Sequence, residues 1–170
     1  MAFSLPLFFV VTLSLCMAWV VVSDASRYII PNWLNALLIL LYVAAAVLLP
    51  IPTWVSAIGA AGLMLVIGMG MFALGLMGGG DIKLLVALCL WTGWGIGTPQ
   101  FIFITAIAGG ILVVVVLSSR LLFAPLWQSR SPDKALPRLL TRKQPVPYGI
   151  AIAFGFIWLL WTGRIPGLAV

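Results

Sequence analysis

Five interruptions cut an otherwise apolar chain into six runs, and this alternation limits what the chain can fold into more than any other feature. The runs cover approximately residues 5–23, 33–49, 54–76, 82–96, 101–117 and 148–161. A helix of about 20 apolar residues crosses a bilayer, and the runs lack the polar-apolar alternation of a membrane barrel. The expectation is an all-α polytopic membrane protein, a six-transmembrane-helix bundle forming one domain over residues 1–170. Composition agrees: 64% of residues are hydrophobic and 7% charged, against roughly a quarter charged in a soluble domain. The first run lacks a basic segment ahead of it, so it reads as a retained span rather than a cleaved signal.

The interruptions differ in charge, and the difference orients the bundle. "PIPT" (50–53) and "GTPQ" (97–100) carry none, whereas the other three hold Arg27, Lys83, Arg120, Arg130, Lys134, Arg138, Arg142 and Lys143. Lys and Arg in short loops mark the cytoplasmic side, which places both termini outside and the three charged loops inside. The net charge of +6 then reflects topology and attraction to anionic lipid in the bilayer, not nucleic-acid binding. Trp54, Trp94 and Trp161 fall near outer span ends and Trp33 near an inner one, as in an interfacial aromatic belt. Residues 118–146 form the one long basic loop, and its start, "SSRLLFAPLWQSR", reads as a short interfacial helix broken at Pro125.

What the chain lacks narrows its chemistry. It has no histidine, which removes Ser-His nucleophilic catalysis and HExxH zinc sites. Cys16 and Cys89 stand alone in apolar runs with no CxxC spacing, so no metal site or disulfide framework is expected, and no cofactor. It has no glutamate, and the acids are Asp24, Asp81 and Asp133. With the topology above, Asp24 ends span one and Asp81 begins span four, at one depth on the cytoplasmic face. Carboxylates at the edge of a span are costly and suggest function, and two that share a proton can serve as base and acid toward water and a peptide bond. Structural roles also fit: Asp24 could pair with Arg27 one turn on, and Asp81 could cap span four. A proton relay in a small proton-coupled transporter is a further reading of the same two acids.

Local sequence favours the hydrolytic reading. "GGGD" (78–81) matches the Gly-x-Gly-Asp pattern, Asp24 leads into Ile30-Pro31-Asn32, and Pro147-Tyr148-Gly149 opens the last run. In this order and spacing the three elements resemble the bacterial type IV prepilin peptidases, and the resemblance extends over nearly the whole chain. It implies a membrane aspartyl endopeptidase of the inner membrane with Asp24 and Asp81 as its catalytic pair. It implies a prepilin substrate, a basic leader ahead of a hydrophobic helix, cut at the cytoplasmic boundary, and contact with pilus assembly proteins. The chain lacks the cysteine-containing insertion of the N-methylating enzymes. It therefore looks like the short, peptidase-only form found with Flp (tight-adherence) pili, the TadV/CpaA type. Archaeal preflagellin peptidases share the motif and are the lesser alternative.

The remaining motif residues have physical roles to expect. Gly78 and Gly80 would admit an extended substrate backbone and allow positive φ beside Asp81, while Gly75 and Gly79 stand at the GxxxG helix-packing spacing. Lys83, two residues from Asp81, would act through its field rather than by direct contact. Pro31 would hold Ile30 extended and Asn32 would cap span two. Pro147, Tyr148 and Gly149 would start span six, with Tyr148 at the rim of a cleft. Helix dipoles would leave the shared proton mainly on Asp24, at a C-terminal end, and Asp81 ionised at an N-terminal one.

Overall fold

Proline at the start and a left-handed residue at the end delimit the first helix, α1 (Leu5–Arg27). Pro6 lies in its first turn, where a missing amide costs nothing. At the other end Tyr28 adopts φ 56°, and its amide closes on the Asp24 carbonyl at 3.0 Å. The Ser23 hydroxyl donates to the Ile29 carbonyl at 2.7 Å and fastens the returning chain. Pro31, at φ −70° and ψ 139°, then opens α2 (Asn32–Leu48). The computed structural model describes residues 4–49, 51, 54–130, 141, 146–165 and 167–168, with the backbone alone at 124, 126 and 128. The remaining helices are α3 (Trp54–Ala73), α4 (Gly79–Thr92), α5 (Gly97–Arg130) and α6 (Tyr148–Trp161), and no strand occurs among the described residues.

The third helix stops three residues before the expected end. Gly75 takes φ 68°, the Leu76 amide reaches the Met71 carbonyl, and the Gly75 amide reaches Phe72, both at 2.9 Å. This is a Schellman cap, which needs a left-handed residue after the helix. A Cβ at Gly75 would meet nothing within 4 Å, so this glycine ends a helix rather than packing one. The fifth helix departs further from expectation. Residues 118–130 continue α5 as one 34-residue helix that passes through Pro125, and no separate interfacial helix forms. An interior proline costs about 3 kcal/mol, which a long, leucine-rich helix can carry. Asp133, Lys134, Arg138, Arg142 and Lys143 lie outside the described residues.

Three helices are long and apolar enough to cross a membrane: Leu5–Arg27, Trp54–Ala73 and the Gly97–Phe123 part of α5, with Asn32–Leu48 and Tyr148–Trp161 as shorter apolar helices. Apolar side chains cover the outside of the bundle, Val55 (84% exposed) and Val47 (76%) among them, a surface suited to lipid rather than water. Trp33, Trp54, Trp94 and Trp161 belong to this outer surface.

The fourth helix is the hub. It packs on α2, α3, α5 and α6, while α1 rests on α6 and α2. Gly68 of α3 makes the α3–α4 approach possible, since a Cβ there would stand 2.5 Å from Ile82 Cγ2. At the far end of α4, Trp91 is fully buried and its Nε1 donates to the Leu38 carbonyl at 3.2 Å. Its ring meets Phe9 at 6.2 Å and Tyr42 at 5.7 Å between centroids. This aromatic knot ties α1, α2 and α4 together. Trp91→Ala is expected to cost about 3–5 kcal/mol, the range for truncating a buried large aromatic. Reversible unfolding in detergent measures it, and a loss below about 1 kcal/mol would remove the knot as a packing centre.

Candidate active site

The end of the bundle opposite the knot holds both Asp24 and Asp81. Since α1 begins at the knot through Phe9 and α4 ends there through Trp91, the two helices run in opposite directions. The last turn of α1 and the first turn of α4 therefore come to one level. Asp24 is 4% exposed and Asp81 half-buried, and the charge of one acts on the other.

Three chain segments converge on these carboxylates. The tight exit at Tyr28 turns Ile30 back into the bundle, where it is buried. A Cβ at Gly80 would lie 3.5 Å from Ile30 Cβ, and a Cβ at Gly149 would lie 3.1 Å from Ile30 Cδ1 and 2.8 Å from Asp24 Oδ2. Ile30 is thus wedged between the first turns of α4 and α6, and the bare face of Gly149 is what leaves room for the Asp24 carboxylate. The amides of Gly149 and Ile150 face that carboxylate and hydrogen-bond it, yet Oδ2 keeps no well-formed hydrogen bond among the described residues.

Asp81 is the third residue of α4 and takes a backbone hydrogen bond from Gly78, the residue that precedes the helix. The arrangement repeats half of a capping box. A Cβ at Gly78 would crowd Asp81 Oδ2 at 3.1 Å. Gly78 has φ −72°, and the positive-φ glycines among the described residues are 75, 93, 163 and 167. The glycines before Asp81 therefore serve by lacking side chains, not by unusual backbone angles.

Other motif residues sit at the margin. Asn32 does not cap α2 with its side chain; Pro31 holds the cap position and no side-chain cap bond forms. Instead Lys83 Nζ donates to Asn32 Oδ1 at 3.1 Å, which ties the start of α2 to the start of α4. A tertiary partner has displaced the local one. Pro147 is buried and precedes α6, and the Tyr148 ring packs over Gly109 of α5, 3.6 Å from where a Cβ would stand. Asn35 was not singled out by sequence: it is 6% exposed, one turn beyond Asn32, and neither polar atom of its amide has a partner among the described residues. Its only sequence signal is an amide in a helix of apolar residues.

Asp81 precedes the apolar stretch 82–96 and its carboxyl is pushed up to about 6, by burial first and then by the negative charge of Asp24, with the Gly78 amide opposing. Burial and the charge of Asp24 thus act against an ionised Asp81, whereas dipole position alone would favour one.

One family model, that of the type IV leader peptidases, matches residues 11–114, more than half of the chain. The chain belongs to the type IV leader peptidase family. This is a family of aspartic-type peptidases, and the matched segment contains Asp24, Ile30-Pro31-Asn32 and Gly78 to Asp81. Pro147-Tyr148-Gly149 lies beyond it, and the fold alone brings those residues of the leader peptidase to the same site. Comparison with curated proteins and with solved structures gave no match.

Proposed function

We propose that the chain is a membrane aspartyl endopeptidase that removes the leader from type IV prepilins of the Flp class, with Asp24 and Asp81 as its catalytic pair. The observation that carries the reading is the meeting of Asp24, Asp81, Ile30 and Gly149 at one end of the bundle. Ionised Asp24 takes a proton from water as the water oxygen adds to the scissile carbonyl, while Asp81 protonates the carbonyl oxygen. Collapse returns the diol proton to Asp81, and the proton held by Asp24 passes to the departing nitrogen. No other group has to gain or lose charge. By the distribution of Lys and Arg, the site faces the cytoplasm and both termini face outward, in the inner membrane of a bacterium. The substrate is a basic leader followed by an apolar helix.

The test is purified protein in liposomes with candidate Flp-type prepilins, scored by mass for leader release, beside a proton-flux assay. Release without flux supports the proposal. Substrate-driven flux without release would make the pair a transporter's relay, and neither would leave an assembly factor.

The same chemistry sets a pH profile. Below about 6 Asp81 keeps the proton that it donates, and above it the proton is lost. kcat/KM is expected to fall about tenfold per pH unit above that midpoint. Stability follows the same sign: a carboxyl raised on folding contributes fully below its ordinary value of 3.8, and the contribution is lost as pH rises through about 6. A kcat/KM that stays flat to pH 8 would exclude Asp81 as the acid.

A further inference from the structure

We propose that the furrow between α3 and α5 is the docking track for the apolar helix of the substrate, with the cut end held where the furrow meets the carboxylates. The inference rests on the leader-peptidase reading and adds where the substrate lies. Both α3 and α5 lie against α4 and make little contact with each other. The space between them has two sections, about 840 Å³ and 380 Å³, which share Met64, Met71, Ile102 and Ala106 and so form one groove. Along α5 its lining runs from Thr98 to Val113, about 23 Å at the helical rise. That covers most of a hydrocarbon layer of about 30 Å.

Its inner end decides the occupant. There the groove is lined by Met77 and Tyr148, the chain neighbours of Gly78 and Gly149, whose missing side chains make room for Asp81 and Asp24. A helix lying in this track therefore delivers one terminus to the acid pair. Since α3 and α5 are two of the three helices able to cross a membrane, the groove opens sideways and the substrate enters without leaving lipid. Three methionines line it, and flexible thioethers accommodate apolar partners of differing shape. Gly110 gives the floor a bare spot where an added Cβ would meet nothing within 4 Å, so another backbone can approach closely.

That open spot also supplies the test. Gly110→Phe adds a bulky side chain at a groove-lining position where its first atom, the Cβ, meets nothing within 4 Å. Gly62→Phe is the control, because a Cβ there also meets nothing within 4 Å and Gly62 does not line the groove. With an intact Flp-type prepilin in liposomes, Gly110→Phe is expected to raise KM tenfold or more, and Gly62→Phe to leave KM and kcat as they were. An unchanged KM in Gly110→Phe overturns the proposal. A photocrosslinking residue at Ala106 gives a second readout that needs no turnover: adducts with the apolar helix of the prepilin support the track, and adducts with a second copy or with lipid alone overturn it. Crosslinking to that helix through position 106, with no leader released by the wild-type protein, would uphold the track while ending the peptidase reading.

Discussion

Asp24→Asn and Asp81→Asn are each expected to lower kcat/KM for leader release by about 10²–10⁴-fold, the usual contribution of a positioned acid or base. An amide can neither take the proton of water nor protonate a carbonyl oxygen, so either change stops the exchange. The two residues act as one unit, and the double variant should be little worse than the more severe single one. Stability should move the other way. Asp24 is 4% exposed with an unpartnered Oδ2, and Asp81 is a half-buried acid beside another charge. Removing either relieves a cost that folding otherwise carries, so thermal midpoints in detergent should hold or rise. Loss of activity with a lowered midpoint would point to a structural role, such as the pairing of Asp24 with Arg27 or the capping of α4. Normal processing by either variant would end the assignment.

Gly149→Ala is expected to cost about 100-fold in kcat, the order associated with a misplacement near 1 Å, with little loss of stability. The added Cβ would stand 2.8 Å from Asp24 Oδ2 and 3.1 Å from its Cγ and from Ile30 Cδ1. The nearest atom is the end of a side chain, so the carboxylate can swing away without unfolding the bundle. What is lost is its placement against Asp81 and against the amides of Gly149 and Ile150. The useful contrast is Gly80→Ala, where the nearest neighbour would stand 3.5 Å away, an ordinary contact. Kinetics with one prepilin separates them: the Gly149 variant should lose kcat and the Gly80 variant should stay near wild type. Equal behaviour of the two would mean that the Gly149 face does not govern where Asp24 sits.

That Asp24 and Asp81 come together was legible in the sequence because the chain has so few acids and each stands at the edge of an apolar run. The starts of α2 and α6 were legible to within a residue, since Pro31 and Pro147 mark them through local chemistry, whereas α4 begins at Gly79 rather than 82 and α5 at Gly97 rather than 101, so that residues 97–100 are helical and not a turn. Pro125 misled because a breaking residue acts against the rest of its helix, and the residues around it favour continuing. Asn32 misled because a cap is a local expectation, whereas Lys83 arrives from another helix. The room that Gly149 makes for Asp24 could not be read at all. It is a contact between distant parts of the chain, and the same glycine would look identical if it faced lipid.

The aromatic knot bears on the chemistry from a distance. Phe9 and Asp24 lie at opposite ends of α1, about 22 Å apart along the axis. Helices pinned at one end behave as levers, and a tilt of about 3° about that fulcrum carries the other end through about 1 Å, enough to spoil a proton transfer. The grip of Trp91, Tyr42 and Phe9 on one another is thus one determinant of how the acids align, beside the packing of α1 on α6 and α2. A loosened grip would leave the reactive groups intact but aimed past each other.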